Sequence, residues 1–115
     1  MDAKASLLAL AAVAVTSCGI EQYKCRSRQT EAKSTLGSIK VAEDVYFAEH
    51  KAYTASTADL RLTISPRNYG IELSITGGGK GYKAIAKGDK PETTGDEWTV
   101  DESSPVKAVT DKCAH

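Results

Sequence analysis

Three cysteines are the residues of this 115-residue chain with the clearest chemistry: Cys18, Cys25 and Cys113. If Cys18 is removed or modified, Cys25 and Cys113 remain as an even pair, which in an exported chain suggests a disulfide. The bond would tie the C-terminal tail to the segment around Cys25. It would close a loop of about 90 residues, for which the chain-entropy model gives about 4–5 kcal/mol. Free thiols, or a pairing that includes Cys18, are the alternatives.

The other reactive side chains form no recognisable catalytic or metal-binding pattern. His50, His115 and the cysteines lack zinc-finger spacing, and no nucleophile elbow or HExxH motif is present. Glu43, Asp44 and Glu49 lie on one predicted helix, where we expect solvated carboxylates rather than an acid–base pair. The sequence therefore predicts a protein that is not an enzyme and that uses no cofactor or metal.

The first 18 residues indicate export. Lys4 precedes an apolar run, Ala5–Val15, and small polar residues follow it. This order is typical of a secretory signal, and the run is shorter than the about 20 residues of a membrane helix. Val15-Thr16-Ser17-Cys18 also resembles the bacterial lipobox, in which the cysteine is lipidated. We expect residues 1–18 to be an export signal or a truncated apolar helix, with Cys18 as a candidate lipidation site; a buried helix with Cys18 as a core residue is the alternative.

The charge balance argues against nucleic acid as a partner. Fifteen basic and fifteen acidic residues cancel, whereas nucleic-acid-binding domains usually carry a basic excess. One local basic cluster follows the apolar run and consists of Lys24, Arg26, Arg28 and Lys33. The cluster could face anionic headgroups or the acids of a neighbouring subunit, or it could be a solvated face balanced by Glu21 and Glu31.

A long amphipathic helix is predicted over about 20–53. The segment contains no proline and one glycine, Gly37, and its apolar residues recur at helical spacing. At 1.5 Å per residue it spans roughly 45 Å, so we expect its first half, Gln22–Lys33, to project beyond the domain. Two shorter helices that break at Gly37 are the alternative. The predicted buried face consists of Cys25, Ala32, Leu36, Ile39, Ala42, Tyr46, His50 and Tyr53, widened by Val41, Val45 and Phe47.

The rest of the predicted domain, which spans 19–115, is a loop followed by antiparallel strands. After the loop 54–68, the alternation from Tyr69 to Ile75 predicts a strand, and two more are predicted at Tyr82–Ala86 and Glu97–Asp101, within 69–101. The glycine-rich stretch Thr76–Gly81 lacks the Lys-Ser/Thr of a phosphate-binding loop and leads into a strand, so it predicts a hairpin turn. The tail from Ser104 shows little pattern. The predicted fold is α+β, a long N-terminal helix packed on a three- to four-stranded antiparallel sheet.

The segment Gln22–Thr54 resembles the part of type IV pilin-like proteins that follows their membrane helix. This resemblance implies the pilin fold and a structural subunit of a bacterial surface filament or a secretion pseudopilus, assembled with copies of itself or other pilin-like subunits at the cell surface. The family's Gly-Phe peptidase site and early glutamate do not occur in residues 1–18. The alternative is therefore a lipid-anchored envelope lipoprotein, a monomeric binding or accessory module tethered through Cys18. The matching residues are Gln29, Glu31-Ala32-Lys33, Leu36, Ile39, Ala42, Tyr46-Phe47-Ala48-Glu49 and Tyr53-Thr54, with Tyr69-Gly70, Trp98-Thr99-Val100-Asp101 and Cys113 downstream.

Overall fold

A computed structural model describes the backbone of residues 2–114 and the side chains of residues 20–114. One helix, α1 (Asp2–His50), precedes four strands, β1 (Tyr69–Thr76), β2 (Gly81–Gly88), β3 (Glu97–Asp101) and β4 (Lys107–Thr110). The strands form one antiparallel sheet in the order β1-β2-β3-β4. The predicted α+β fold, a long helix on an antiparallel sheet, is confirmed. The side chain of Cys18 lies outside the described residues.

The buried face of α1 follows the helical repeat but includes polar residues. Ala32, Leu36 and Ile39 are fully buried, as predicted. Val41 and Val45, which were expected to widen this face, are 65% and 55% exposed, so that prediction is wrong. The reason is the direction of the side chains around the helix. Val41 lies two residues beyond Ile39, which is about 200° around the helix, so its side chain points away from the sheet.

The C-terminal end of α1 and the segment Gln22–Lys33 also differ from expectation. The helix ends at His50, because Lys51 adopts a left-handed backbone conformation (φ 61°) and its amide donates to the carbonyl of Phe47 at 2.8 Å. The segment Gln22–Lys33 does not project from the domain, because the C-terminal tail packs along it: the Gln22 Nε2 donates to the carbonyl oxygen of Cys113 at 3.0 Å.

The hydrophobic core lies between α1 and the inner face of the sheet. Inward-facing residues alternate with outward-facing ones along β2, where Tyr82, Ala84 and Ala86 are buried and Lys83 and Lys87 are exposed. The small alanines let the helix approach the sheet closely, and the aromatic rings fill the two ends of the interface. The buried core cluster consists of Ala32, Leu36, Ile39, Tyr69, Tyr82, Ala84, Ala86, Trp98 and Val100.

The tail that showed little pattern forms the fourth strand. β4 pairs with β3 through a register irregularity at Glu97/Trp98, and every residue of β4 is exposed. The predicted hairpin between β1 and β2 is present and is built on a short 3₁₀ turn, Gly77–Gly79, whose glycines adopt positive φ. Within residues 20–114, no helix is long and apolar enough to cross a membrane.

Candidate interaction surface

The C-terminal tail is fastened to the part of α1 around Cys25. Cys25 and Cys113, the pair suggested by the cysteine count, are joined by a disulfide with their Cα atoms 5.8 Å apart. The Arg26 guanidinium forms a salt bridge with Asp111 at 3.0 Å. A hydrogen bond donated by Gln29 lowers the pKa of Asp111, and Arg26 lowers it further. These contacts make the tail part of the folded domain.

Asp96 is the centre of a buried hydrogen-bond network that the sequence did not reveal. Its Oδ1 accepts from Gln29 Nε2 at 3.1 Å and from the Lys112 amide at 2.9 Å. Its Oδ2 accepts from Trp98 Nε1 at 3.0 Å and from the Tyr69 hydroxyl. Burial and this hydrogen bond raise the pKa of Tyr69. All four donors come from the protein, so the network stabilises the fold and leaves no oxygen open to a substrate.

One carboxylate that was expected to be solvated is buried. Glu43 is fully buried under the chain that leaves the helix, and its Oε1 accepts from the Thr54 amide at 3.0 Å. Desolvation raises the pKa of Glu43. Asp44 and Glu49 are exposed, as predicted. The three carboxylates therefore do not meet in one site, and in residues 20–114 no group of three or more His, Cys, Asp or Glu side chains could hold a metal ion.

The face of α1 that points away from the sheet carries a continuous stripe without charge. At about 100° per residue, nine positions with spacings of three or four share this face. Eight of them are exposed and Gly37 is half-buried. In residues 20–114 five large hydrophobic side chains are exposed, and four belong to this face, with Val109 on β4 as the fifth. We call this set the uncharged stripe: Ile20, Tyr23, Ser27, Thr30, Ser34, Gly37, Val41, Val45 and Ala48.

A groove runs beside the second half of the stripe, between α1 and the loop that follows it. Its volume is about 520 Å³. Val45, Tyr46 and Glu49 line its helix side, and Asp59 and Arg61 line its loop side. The ring of Tyr46 stacks on His50 with centroids 4.0 Å apart, which gives the helix side a rigid aromatic wall. We call this feature the loop groove.

The predicted basic cluster is only partly available to a partner. Arg26 is paired with Asp111, and the Lys33 ammonium lies 4.6 Å from the centre of the Trp98 ring. Lys24 is exposed and Arg28 is half-buried, and neither takes part in the two salt bridges found in residues 20–114, which are Arg26–Asp111 and Lys87–Glu72.

Sequence reasoning missed Gln29, Asp96 and Glu43 as buried residues. For Gln29 a signal existed, because it fills the seven-residue gap between Cys25 and Ala32 on the predicted buried face. Glu43 offered a similar signal, because it lies four residues after Ile39 and seven after Leu36 on that face. Asp96 offered no such signal, since its partner Gln29 is 67 residues away in the sequence.

Comparison with known proteins assigns the fold. A solved structure of a type IV pilin from Shewanella oneidensis matches with a TM-score of 0.61 over 79% of this chain and 99% of that chain, at 18% sequence identity. No protein-family model matches the chain, and no curated protein matches it significantly. The pilin-like fold that the resemblance implied is confirmed.

Proposed function

We propose that this chain is a non-enzymatic, pilin-like structural subunit of a bacterial surface filament or secretion pseudopilus. The subunit is exported and assembles through its long helix with copies of itself or with other pilin-like subunits. The observation that carries this proposal is the uncharged stripe on a chain that has the pilin fold.

The energetics of the stripe favour a helix-shaped partner. Burying a valine or tyrosine side chain contributes about 1.5–3 kcal/mol, which Tyr23, Val41 and Val45 largely forgo in the isolated subunit. The stripe runs from Ile20 to Ala48, about 42 Å along the helix axis. A second helix laid along this line would bury all of these side chains, and none of them carries a charge. A monomeric binding module has no comparable use for such a long, narrow surface.

Two further features support an exported structural protein. The Cys25–Cys113 disulfide is of the kind that persists in oxidising compartments outside the cytoplasm. The buried polar groups around Asp96 and Asp111 bond to one another and to the backbone, as expected of groups that hold a fold together.

Imaging of filaments from cells that express the full chain tests the proposal. The test variant is Val41→Lys, in the stripe, and the matched control is Val109→Lys, on β4, where the valine is 55% exposed. We expect Val41→Lys to abolish filaments that contain this subunit while the subunit stays folded, and Val109→Lys to retain them. Filaments that are equally abundant in both variants, or no filaments from the unmodified chain, would contradict the proposal.

Intact-mass measurement of the mature protein tests the lipoprotein alternative, which the sequence around Cys18 motivates. A diacylglyceryl adduct at Cys18 would favour the tethered monomeric module and exclude assembly through the complete helix. A mature chain that retains residues before Cys18 would exclude the lipoprotein.

A further inference from the structure

Tyr23 is the most exposed large hydrophobic side chain in residues 20–114. Its exposed fraction is 73%, and it lies on the uncharged stripe, close to the Ile20 end of that stripe. Tyrosine is enriched at the centres of protein interfaces, because one rigid ring supplies a large contact area and a polar hydroxyl. On this surface Tyr23 is a protruding aromatic group.

The loop groove is the complementary recess. Its volume of about 520 Å³ lies within the roughly 300–1,000 Å³ of pockets that hold a small ligand, so an aromatic ring fits inside it. Leu60 supplies a buried apolar floor, and Tyr46 supplies a wall against which a second ring can pack. Arg61 lines the loop side, and a guanidinium can stack on the ring of a tyrosine.

We infer that copies of this subunit join head to tail, with Tyr23 of one copy seated in the loop groove of the next. The inference rests on the proposed function and names the contact that would make the filament. Because the protruding group and the recess are different surfaces of one chain, the contact is heterologous. A heterologous contact repeated by a constant shift does not close and therefore produces a fibre.

The charges around the two surfaces are complementary. Glu49 and Asp59 carry two negative charges at the groove and Arg61 carries one positive charge, which leaves an excess of one negative charge. Lys24 follows Tyr23 directly and is exposed. It takes part in neither of the two salt bridges found in residues 20–114. Insertion of Tyr23 brings this ammonium to the acidic rim, where opposite charges favour the correct encounter.

The spacing along the helix is consistent with the same contact. Tyr23 precedes Val45 by about 22 residues, so seating it in the groove shifts one copy along the other by roughly 33 Å. This shift is close to six helical turns, so the stripe of one copy keeps nearly the same direction relative to the stripe of the other. Between these two positions the stripe consists of Ser27, Thr30, Ser34, Gly37 and Val41, and small residues such as the first four allow helices to approach closely.

Photocrosslinking in assembled filaments tests the contact directly. Tyr23 is replaced by p-benzoylphenylalanine in the full chain, and Val109 is replaced in the same way as the control. After irradiation we expect intermolecular crosslinks from position 23 to the segment 42–61 of a second copy, identified by mass spectrometry of mixed isotope-labelled and unlabelled subunits. Crosslinks from position 23 to another segment, or none from position 23 in intact filaments, would overturn the inference.

Charge reversal gives a second, independent measurement. We expect Lys24→Glu to lower filament yield about tenfold, since a close interfacial charge pair couples by about 1.4 kcal/mol or more. Combining it with Glu49→Lys or Asp59→Lys should restore most of the yield, and Lys90→Glu, on an exposed loop, should have no effect. Recovery in neither double variant would contradict the inference.

The outcomes also separate the inference from the proposed function. If the unmodified chain forms no filaments, both fail together. If it forms filaments that crosslink elsewhere and ignore the charge reversals, the head-to-tail contact fails and the structural role stands.

Discussion

Replacing Asp96 by asparagine should remove a large part of the stability of the domain. The side chain is 3% exposed, and its two oxygens accept four hydrogen bonds from Gln29, Tyr69, Trp98 and the Lys112 amide. Asparagine has nearly the same shape, so the substitution leaves no cavity. It does replace one acceptor oxygen by an amino group that can only donate.

The magnitude follows from counting donors. Whichever way the amide is turned, its amino group faces two protein donors. The Tyr69 hydroxyl can rotate to accept, but the Trp98 indole and the Lys112 amide cannot. At least one buried donor is therefore left without an acceptor, and the remaining bonds lose the carboxylate charge. With about 1–3 kcal/mol for each such loss, we expect the free energy of unfolding to fall by about 2–5 kcal/mol, out of roughly 5–15 for an ordinary domain.

Urea unfolding of the full chain, followed by circular dichroism, measures this loss. Asp89→Asn, at an exposed loop position, is the control and should change the free energy of unfolding by less than about 0.5 kcal/mol. Tyr69→Phe should be less destabilising in the Asp96→Asn background than in the unmodified protein, because the acceptor of its hydroxyl has already changed. A loss below about 1 kcal/mol for Asp96→Asn would refute the view that this network stabilises the domain.

Three further predictions concern other parts of the domain. Glu43→Gln should be at least as stable as the unmodified protein at neutral pH, since glutamine keeps an acceptor for the Thr54 amide and carries no buried charge. Burial raises the pKa of Glu43 above its ordinary 4.5. The contribution of Glu43 to stability is therefore complete below pH 4.5 and is lost as the pH rises through the folded-state pKa. When the free energy of unfolding is measured against pH, the Glu43→Gln variant should lack this loss. Reduction of Cys25–Cys113 should lower the free energy of unfolding by about 4–5 kcal/mol, and an alkylated mass that is identical with and without reductant would exclude the bond. Gly37→Ala should raise the free energy of unfolding by about 0.8–1 kcal/mol, because no atom outside the helix backbone and the chain neighbours lies within 4 Å of the added carbon; unchanged or lower stability would contradict this.

The apolar pattern of the sequence was sufficient to predict the helix and three strands. Ala32, Leu36 and Ile39 repeat at helical spacing, and Tyr69, Ile71 and Leu73 alternate along β1. In each case a single face is buried, so the repeat of hydrophobic residues is the same as the repeat of the structure. β4 offered no such signal, since all of its residues are exposed and its position is set by pairing with β3.

The polar residues of the interior were missed for a different reason. Gln29 and Glu43 belong to residue types that are mostly exposed, and only their partners make burial favourable. The partner of Gln29 is Asp96, 67 residues later, and the partner of Glu43 is a backbone amide in a loop. The predicted buried face of the helix 20–53 also included both valines of that segment, which placed Val41 and Val45 on the wrong face.

That error points to the property of α1 that the isolated domain leaves unexplained. The sheet covers one face of the helix, while Val41 and Val45 on the opposite face gain little from burial. On the same face, Gly37 lies in the middle of a helix, where glycine is less stable than alanine by about 0.8–1 kcal/mol, and its Cα has open space beside it. Neither feature benefits the isolated domain. Both become favourable when a second helix lies along the stripe, because the glycine lets the two backbones approach and the valines then pack against the neighbour. Under the proposed function, the residues that are unfavourable in the isolated domain are therefore the ones that would bring two long helices together.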